Sequence, residues 1–413
     1  MTRQPPFGRL AVKGLDLGSD RIVLAEPSGR GIRYRTHRNR FVSLPCCDPI
    51  KRTLREEAIP YHVEGTQILV FGNQAEDLAN SLNSPVRRSM QFGLLNKAEP
   101  NSVRMLHVML REICGEATEG EEIYLGLTTS GSQAESIYCG RTVSHVLECL
   151  GYRPRCVTKA LALVCAELED TAFTGLAIDF GAGTCDVCLA HLGVPVVAFS
   201  TSQAGDYIDE SCALVTGNAP AVVRTYKERK FSLNRLSTET IHHALAVFYR
   251  TTIEATVGRL EQTLADAHKL PTFCQPISVV LSGGSVLTSG FKAEFAHVIN
   301  RAVLPFGIRE VRLAEDPLNA TARGALRAAS LIRRRLGDGR LHRSQSPSRC
   351  KFWYQRSLSG VLSAGHLALA RCWHVVTKSL GLGTRLGRHV LQLWQAAAGS
   401  LKRWCFRHRV LLR

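Results

Sequence analysis

The chain has 413 residues, 45% of them apolar and 21% charged, which is ordinary for globular domains and excludes a disordered or fibrous chain. Its net charge of +17 is concentrated at one end: Arg333 to Arg413 holds 17 basic residues, a single acid (Asp338) and all four tryptophans. Residues 1–332 carry only +1, so the main body is nearly neutral and the charge that suggests nucleic acid belongs to the C-terminal stretch.

In chain order, "LAVKGLDLGSDRIVLAE" (10–26) reads as strand, turn and strand, with Asp16, Gly18 and Ser19 in the turn. A strand (QILVFG), a helix (NSVRMLHVMLREIC), a strand (EEIYLGLTTS) and a helix (AESIYCGRTVSHVLECLG) follow. "AIDFGAGTCDVCLA" (177–190) then repeats the opening grammar with Asp179, Gly181, Gly183 and Thr184. Its Cys185 and Cys188 form a C-x-x-C, but residues three apart on a strand face opposite sides, which argues against a shared metal. Next come VPVVAFSTS (strand), GDYIDESCALVTG (helix), a long helix from Ser237 and ISVVLSGG (strand), which ends at Gly283-Gly284. In "EDPLNATARGALRAASLIRRRL", Pro317 is expected near the N-terminus of a helix, where its missing N–H costs nothing. Strands alternating with helices predict an α/β fold. Two similarly built halves predict a duplicated domain with a cleft between the copies.

Any one of these turns alone is a tight hairpin; three in this order point to a nucleotide site. Backbone N–H groups of two facing Asp-x-Gly hairpins form a concavity suited to polyphosphate. Asp16 and Asp179 would act through Mg²⁺ and its waters, while the Ser19 and Thr184 hydroxyls donate to phosphate oxygens. Gly283 and Gly284, without side chains, would let backbone approach the base or ribose.

These residues resemble the actin-like ATPase superfamily, and within it the bacterial actin-like rod-shape-determining (MreB-like) proteins. "GLDLGSDRIVL" and "AIDFGAGTCDVCLA" look like the two phosphate motifs, "VVLSGGSVLTSGF" like the adenosine motif and "AEDPLNATARGAL" like the closing helix. "STSQAGDYIDESCALV", with Gly205-Asp206 before a helix, is similar to the segment after the second phosphate motif. The resemblance implies duplicated actin-like (ribonuclease H-like) domains around a cleft. The halves are expected at 1–157, with an insertion subdomain about 33–72, and 158–336, with one about 218–275. The last helix, 316–336, is expected to pack back on the first half. The resemblance implies ATP and Mg as cofactors, with catalytic roles for Asp16, Asp179 and Thr184 and Mg held through water by Asp16 and Asp179. It implies ligand binding by Gly18, Ser19, Gly181, Ala182, Gly183, Gly205, Asp206, Gly283 and Gly284. Two departures stand out. Thr158 and Lys159 fall where the family carries a water-orienting acid, so hydrolysis is expected to be weak or absent. No glutamate fits the ribose-contacting Glu-x-x-Lys pattern near "APAVVRTYKERK", leaving Arg224 or Lys227 to serve there.

Residues 337–356 read as a polar linker. In 357–413, Leu358, Leu362, Leu369, Trp373, Val376 and Leu380, then Leu386, Val390, Leu393, Leu401 and Trp404, recur at helical spacing with basic residues largely off the stripe. Two basic amphipathic helices suit an anionic membrane surface; packing on a protein and binding nucleic acid are the alternatives. The opening "MTRQPPFGRL" has no apolar leader, and no apolar run reaches the roughly 18 residues of a membrane span. The sequence therefore reads as a cytoplasmic, ATP-binding cytoskeletal protein, peripheral on the inner membrane face. It would form filaments with itself and serve cell shape or intracellular positioning. The alternative is a monomeric, chaperone-like regulatory nucleotide-binding protein that uses its tail on a partner or nucleic acid.

Overall fold

A computed structural model describes residues 12–338 apart from 30, 83, 268 and 269. The first run comprises β1 (Val12–Leu17), β2 (Arg21–Ser28), β3 (Gly31–Arg38), β4 (Phe41–Pro45), α1 (Asp48–Glu56), β5 (Tyr61–Glu64) and β6 (Gln67–Phe71). It continues through α2 (Ala75–Ser81), β7 (Met90–Gln91), β8 (Leu94–Leu95), α3 (Ser102–Cys114), β9 (Glu122–Leu127), α4 (Gln133–Cys149) and β10 (Arg153–Thr158). After α5 (Lys159–Glu167), the second run comprises β11 (Gly175–Phe180), β12 (Cys185–His191), β13 (Val194–Thr201), α6 (Gly205–Thr216), α7 (Pro220–Arg229) and α8 (Thr240–Ala265). β14 (Ile277–Ser282), α9 (Phe291–Ile299), β15 (Ile308–Leu313) and α10 (Ala320–Asp338) complete it.

The two runs build sheets of the same topology. One has the order β10-β9-β1-β2-β3 and the other β15-β14-β11-β12-β13. In each, the leading strand forms an antiparallel hairpin on one side and a parallel pair on the other. Parallel strands need both faces covered, which explains why β11 and β14 are buried throughout and apolar except at Asp179, Ser278 and Ser282. On β11, Leu176, Ile178 and Phe180 face a core shared with α6, α8 and α9, whereas Ala177 packs with Leu163 and Val164 of α5. Cys185 and Cys188 likewise fall into these two different cores, so the C-x-x-C pair does not converge.

Two helices cross behind the site. At Gly324 a Cβ would overlap the Ala162 backbone of α5, and at Gly14 a Cβ would stand 2.8 Å from Leu326 Cβ of α10. Small residues therefore let α10 press directly onto α5 and β1, burying Ala322, Ala325, Ala328 and Ala329. Between β3 and α3, a separate three-stranded sheet (β4-β6-β5) carries its own core with Leu54 of α1 and Ala79 of α2.

The last helix begins at Ala320 rather than at 316, with Pro317 just ahead of it. The proline stands in the preceding turn, where its carbonyl accepts from Gly283 N (3.0 Å) and Ser282 Oγ (2.9 Å). Among the described residues no helix is long and apolar enough to cross a membrane. The amphipathic helices expected over 357–413, and all but the first two residues of the 337–356 linker, lie outside the described residues.

Candidate functional site

Both hairpins close with the same bond: Gly18 N donates to Arg21 O (2.8 Å) and Gly181 N donates to Thr184 O (2.9 Å). They meet face to face, since a Cβ on Gly183 would stand 2.7 Å from Ser19 Cβ and 3.0 Å from Phe92 N. Only glycine allows that approach. Ser19 is itself held in place, its Oγ accepting from Gly93 N at 2.8 Å. The strands deliver Asp16 and Asp179 to the same end of their sheets, one from each hairpin.

The third turn is equally constrained. Gly283 sits at φ 92°, ψ 166°, a region essentially closed to other residues. Its Cβ would lie 2.7 Å from Asp179 Oδ1 and would overlap the Phe180 carbonyl. At Gly284, by contrast, the nearest atom to a Cβ is Leu318 Cδ2 at 3.9 Å, so this glycine faces open space. The three turns line one cleft of about 530 Å³, whose far wall includes Arg224, Lys227, Glu228, Phe231 and Tyr249. That volume is typical of small-molecule sites.

Gly205 and Asp206 line the cleft in a supporting role. Their N–H groups donate to Gly181 O (3.0 Å) and Ala182 O (2.7 Å), bracing the second hairpin rather than pointing at a ligand. The Asp206 carboxylate pairs with Arg88 at 2.9 Å. Deeper, Asp209 pairs with Lys227 (2.6 Å) and Arg224 (3.2 Å). Burial pushes the Asp209 carboxyl up, against the pull of those two cations.

The electrostatic centre of the cleft is Lys159, the first residue of α5. It is 5% exposed, and its Nζ lies 2.8 Å from Asp16 Oδ1. Burial alone would lower its pKa, but Asp16, Asp179 and Asp186 outweigh that and raise it to about 12. Asp179 goes the other way, its pKa raised chiefly by burial and further by Asp16 and Asp186, with Lys159 opposing. Asp179 and Asp186 are direct cross-strand partners, a like-charge pair that is unfavourable unless compensated. Asp186 is compensated by hydroxyls: Thr128 (2.7 Å) and Ser200 (2.5 Å) donate to Oδ1, and Thr184 (2.8 Å) donates to Oδ2. The Thr184 proton is thus committed, leaving its oxygen to accept. Mg²⁺ held through Asp16 and Asp179 does not fit this arrangement. Asp16 already pairs with a buried ammonium, and charges of +1 and +2 a few ångströms apart repel by several kcal/mol even at an effective dielectric of about 20.

The profile of the Volactin family matches residues 11–329, most of the chain. The chain belongs to the Volactin family. No curated protein matches it in sequence. Its fold is that of actin-like proteins. It is similar to the MamK double helical filament, at 18% identity and a TM-score of 0.58, covering 78% of this chain and 99% of that one. It is also similar to MreB 5 of Spiroplasma citri bound to AMPPNP, at 15% identity and a TM-score of 0.59, covering 81% and 100%. The ADP-bound MreB5 of the same organism gives 15% identity and a TM-score of 0.56, covering 80% and 99%.

In this Volactin-family chain, every glycine-turn residue expected at the site lines the one cleft: Gly18, Ser19, Gly181, Ala182, Gly183, Gly205, Asp206, Gly283 and Gly284 with Asp16, Asp179 and Thr184. Of the two residues at the start of α5, Lys159 lines it and Thr158 does not. A glutamate does line the cleft beside Arg224 and Lys227: Glu228, directly after Lys227, and it is exposed. Its place after the lysine reverses the Glu-x-x-Lys order. Asp186 was also missed, although an acid between Cys185 and Val187 in a buried strand was the visible signal.

Proposed function

We propose that this protein binds ATP in the cleft between its two hairpins and assembles into filaments as a cytoskeletal protein. The observation that carries this reading is the meeting of the hairpins at Gly183 and Ser19, with Gly284 open on the third turn. Polyphosphate would lie along the turns at Gly18–Ser19 and Gly181–Gly183, with the nucleoside toward Gly284, Arg224, Lys227 and Glu228. The likeness to MreB 5 bound to AMPPNP and to the MamK filament supports nucleotide as ligand and self-association as outcome.

Hydrolysis is slow or absent on this reading. A residue that orients the attacking water toward phosphorus must accept its proton, directly or through a neighbour. Lys159 stands at that place and, with its pKa near 12, is a donor at any physiological pH. The Thr184 oxygen can still accept from a water, which leaves orientation without a base. Residues 357–413 attach the filament peripherally to the anionic inner membrane face, a reading that rests on their charge and Trp stripe.

Calorimetric titration of the full chain with ATP and ADP tests the site. Saturable one-to-one binding is expected, and no heat up to millimolar ligand refutes it. Sedimentation with anionic vesicles tests the tail; a chain that stays in the supernatant refutes the membrane reading.

A further inference from the structure

We propose that the Lys159 ammonium takes the part of the divalent cation in this cleft, so that polyphosphate is bound without a metal ion. The proposal rests on the nucleotide reading above and deepens it. A hydrated Mg²⁺ would serve here as a cationic cluster of hydrogen-bond donors, linking the hairpin carboxylates to phosphate oxygens. A lysine ammonium is also a cation with three donors. The ammonium forms an ion pair with Asp16 Oδ1, 2.8 Å away, and lines the cleft that would hold the phosphates.

The side chain is built into this position. From the start of α5 its stem passes Gly126, where a Cβ would be 3.8 Å from Lys159 Cγ. Its Nζ ends beside the first hairpin, 3.7 Å from where a Gly18 Cβ would stand. A cation at a helix N-terminus opposes the helix dipole, and α5 has no acid in its first turn to offset it. What holds the ammonium there is the acidic end of the two sheets. The other carboxylates make little further demand for a cation. Asp186 takes three hydroxyl donors, and Asp179 Oδ2 accepts from Thr321 Oγ1 at 3.3 Å.

The test is ADP and ATP titration of the full chain in EDTA and again in excess MgCl₂. Wild-type affinity is expected to be at least as high in EDTA as in MgCl₂, where the metal sequesters free nucleotide, whereas Lys159→Gln, which should need the metal, is expected to bind more than about tenfold more tightly in MgCl₂. Electron paramagnetic resonance of Mn²⁺ with the wild-type protein–ADP complex should show no protein-bound metal. Loss of wild-type affinity by about thirtyfold or more in EDTA overturns the proposal while leaving the nucleotide site standing. Absence of binding in both buffers overturns the nucleotide reading and the proposal with it. Should Lys159→Gln fail to fold, the wild-type pair of titrations and the Mn²⁺ spectrum decide alone.

Discussion

Adjacent glycines of the third turn make opposite predictions. At Gly284 a methyl group meets only Leu318 Cδ2 at 3.9 Å, an ordinary contact. Gly284→Ala should therefore leave stability within about 0.5 kcal/mol of wild type. Its methyl would project into the cleft where the nucleoside is placed, and ATP affinity should fall about ten- to a hundredfold, or about 1.4–2.8 kcal/mol. At Gly283 the backbone is at φ 92°, ψ 166°, and the methyl would be driven into Phe180 O and to 2.7 Å from Asp179 Oδ1. Backbone strain of about 1–3 kcal/mol and overpacking of about 1–3 kcal/mol both apply, so Gly283→Ala should cost about 2–6 kcal/mol. Chemical denaturation followed by circular dichroism measures the first quantity and calorimetric titration with ATP the second. Wild-type affinity in Gly284→Ala would remove the nucleoside from this turn. Unchanged stability in Gly283→Ala would refute the close approach of β14 to β11.

Gly324→Ala, at the crossing of α5 and α10, should lower the thermal midpoint measurably, because the added carbon overlaps Ala162 backbone and has no flexible neighbour to displace. Asp186→Ala strips the acceptor from Thr128, Thr184 and Ser200 and should cost about 1–3 kcal/mol for each hydroxyl left buried without a partner, read by urea denaturation. The folded pKa of Lys159, about 12, lies above its ordinary value of 10.5. Its pairing thus contributes fully below pH 10.5 and is lost as pH rises toward 12, so alkaline unfolding should come later in wild type than in Lys159→Gln. Burial pushes the Cys114 and Cys188 thiols up to about 12, so in the native protein a thiol reagent at pH 8 should label exposed Cys47, Cys149 and Cys274 well before either.

The leading strands and their turns were legible because Asp-x-Gly interrupts an otherwise apolar run, a pattern that chance hairpins rarely need. Of the outer strands, β13 (VPVVAFST) was read as a strand, but β3, β10 and β15 were not. β3 (GIRYRTHR) and β10 (RPRCVT) carry arginines and, in β10, a proline, since sheet-edge strands need no continuous apolar run. The site was legible where glycine decides the backbone, at Gly183 and Gly283. It was not legible where side chains from distant segments converge. Lys159 was visible as a departure from a family pattern, but nothing in the sequence says that its ammonium reaches Asp16, 143 positions earlier in the chain. Nor does the sequence show that Arg88 meets Asp206 across 118 positions.

Assembly is the claim furthest from the cleft and the most direct to observe. Negative-stain electron microscopy of the purified full chain, with ATP and without nucleotide, addresses it in one measurement. Filaments are expected with ATP, fewer or none without it, and their loss in Gly284→Ala. Uniform single particles in a sample that calorimetry shows to be saturated with ATP would contradict it.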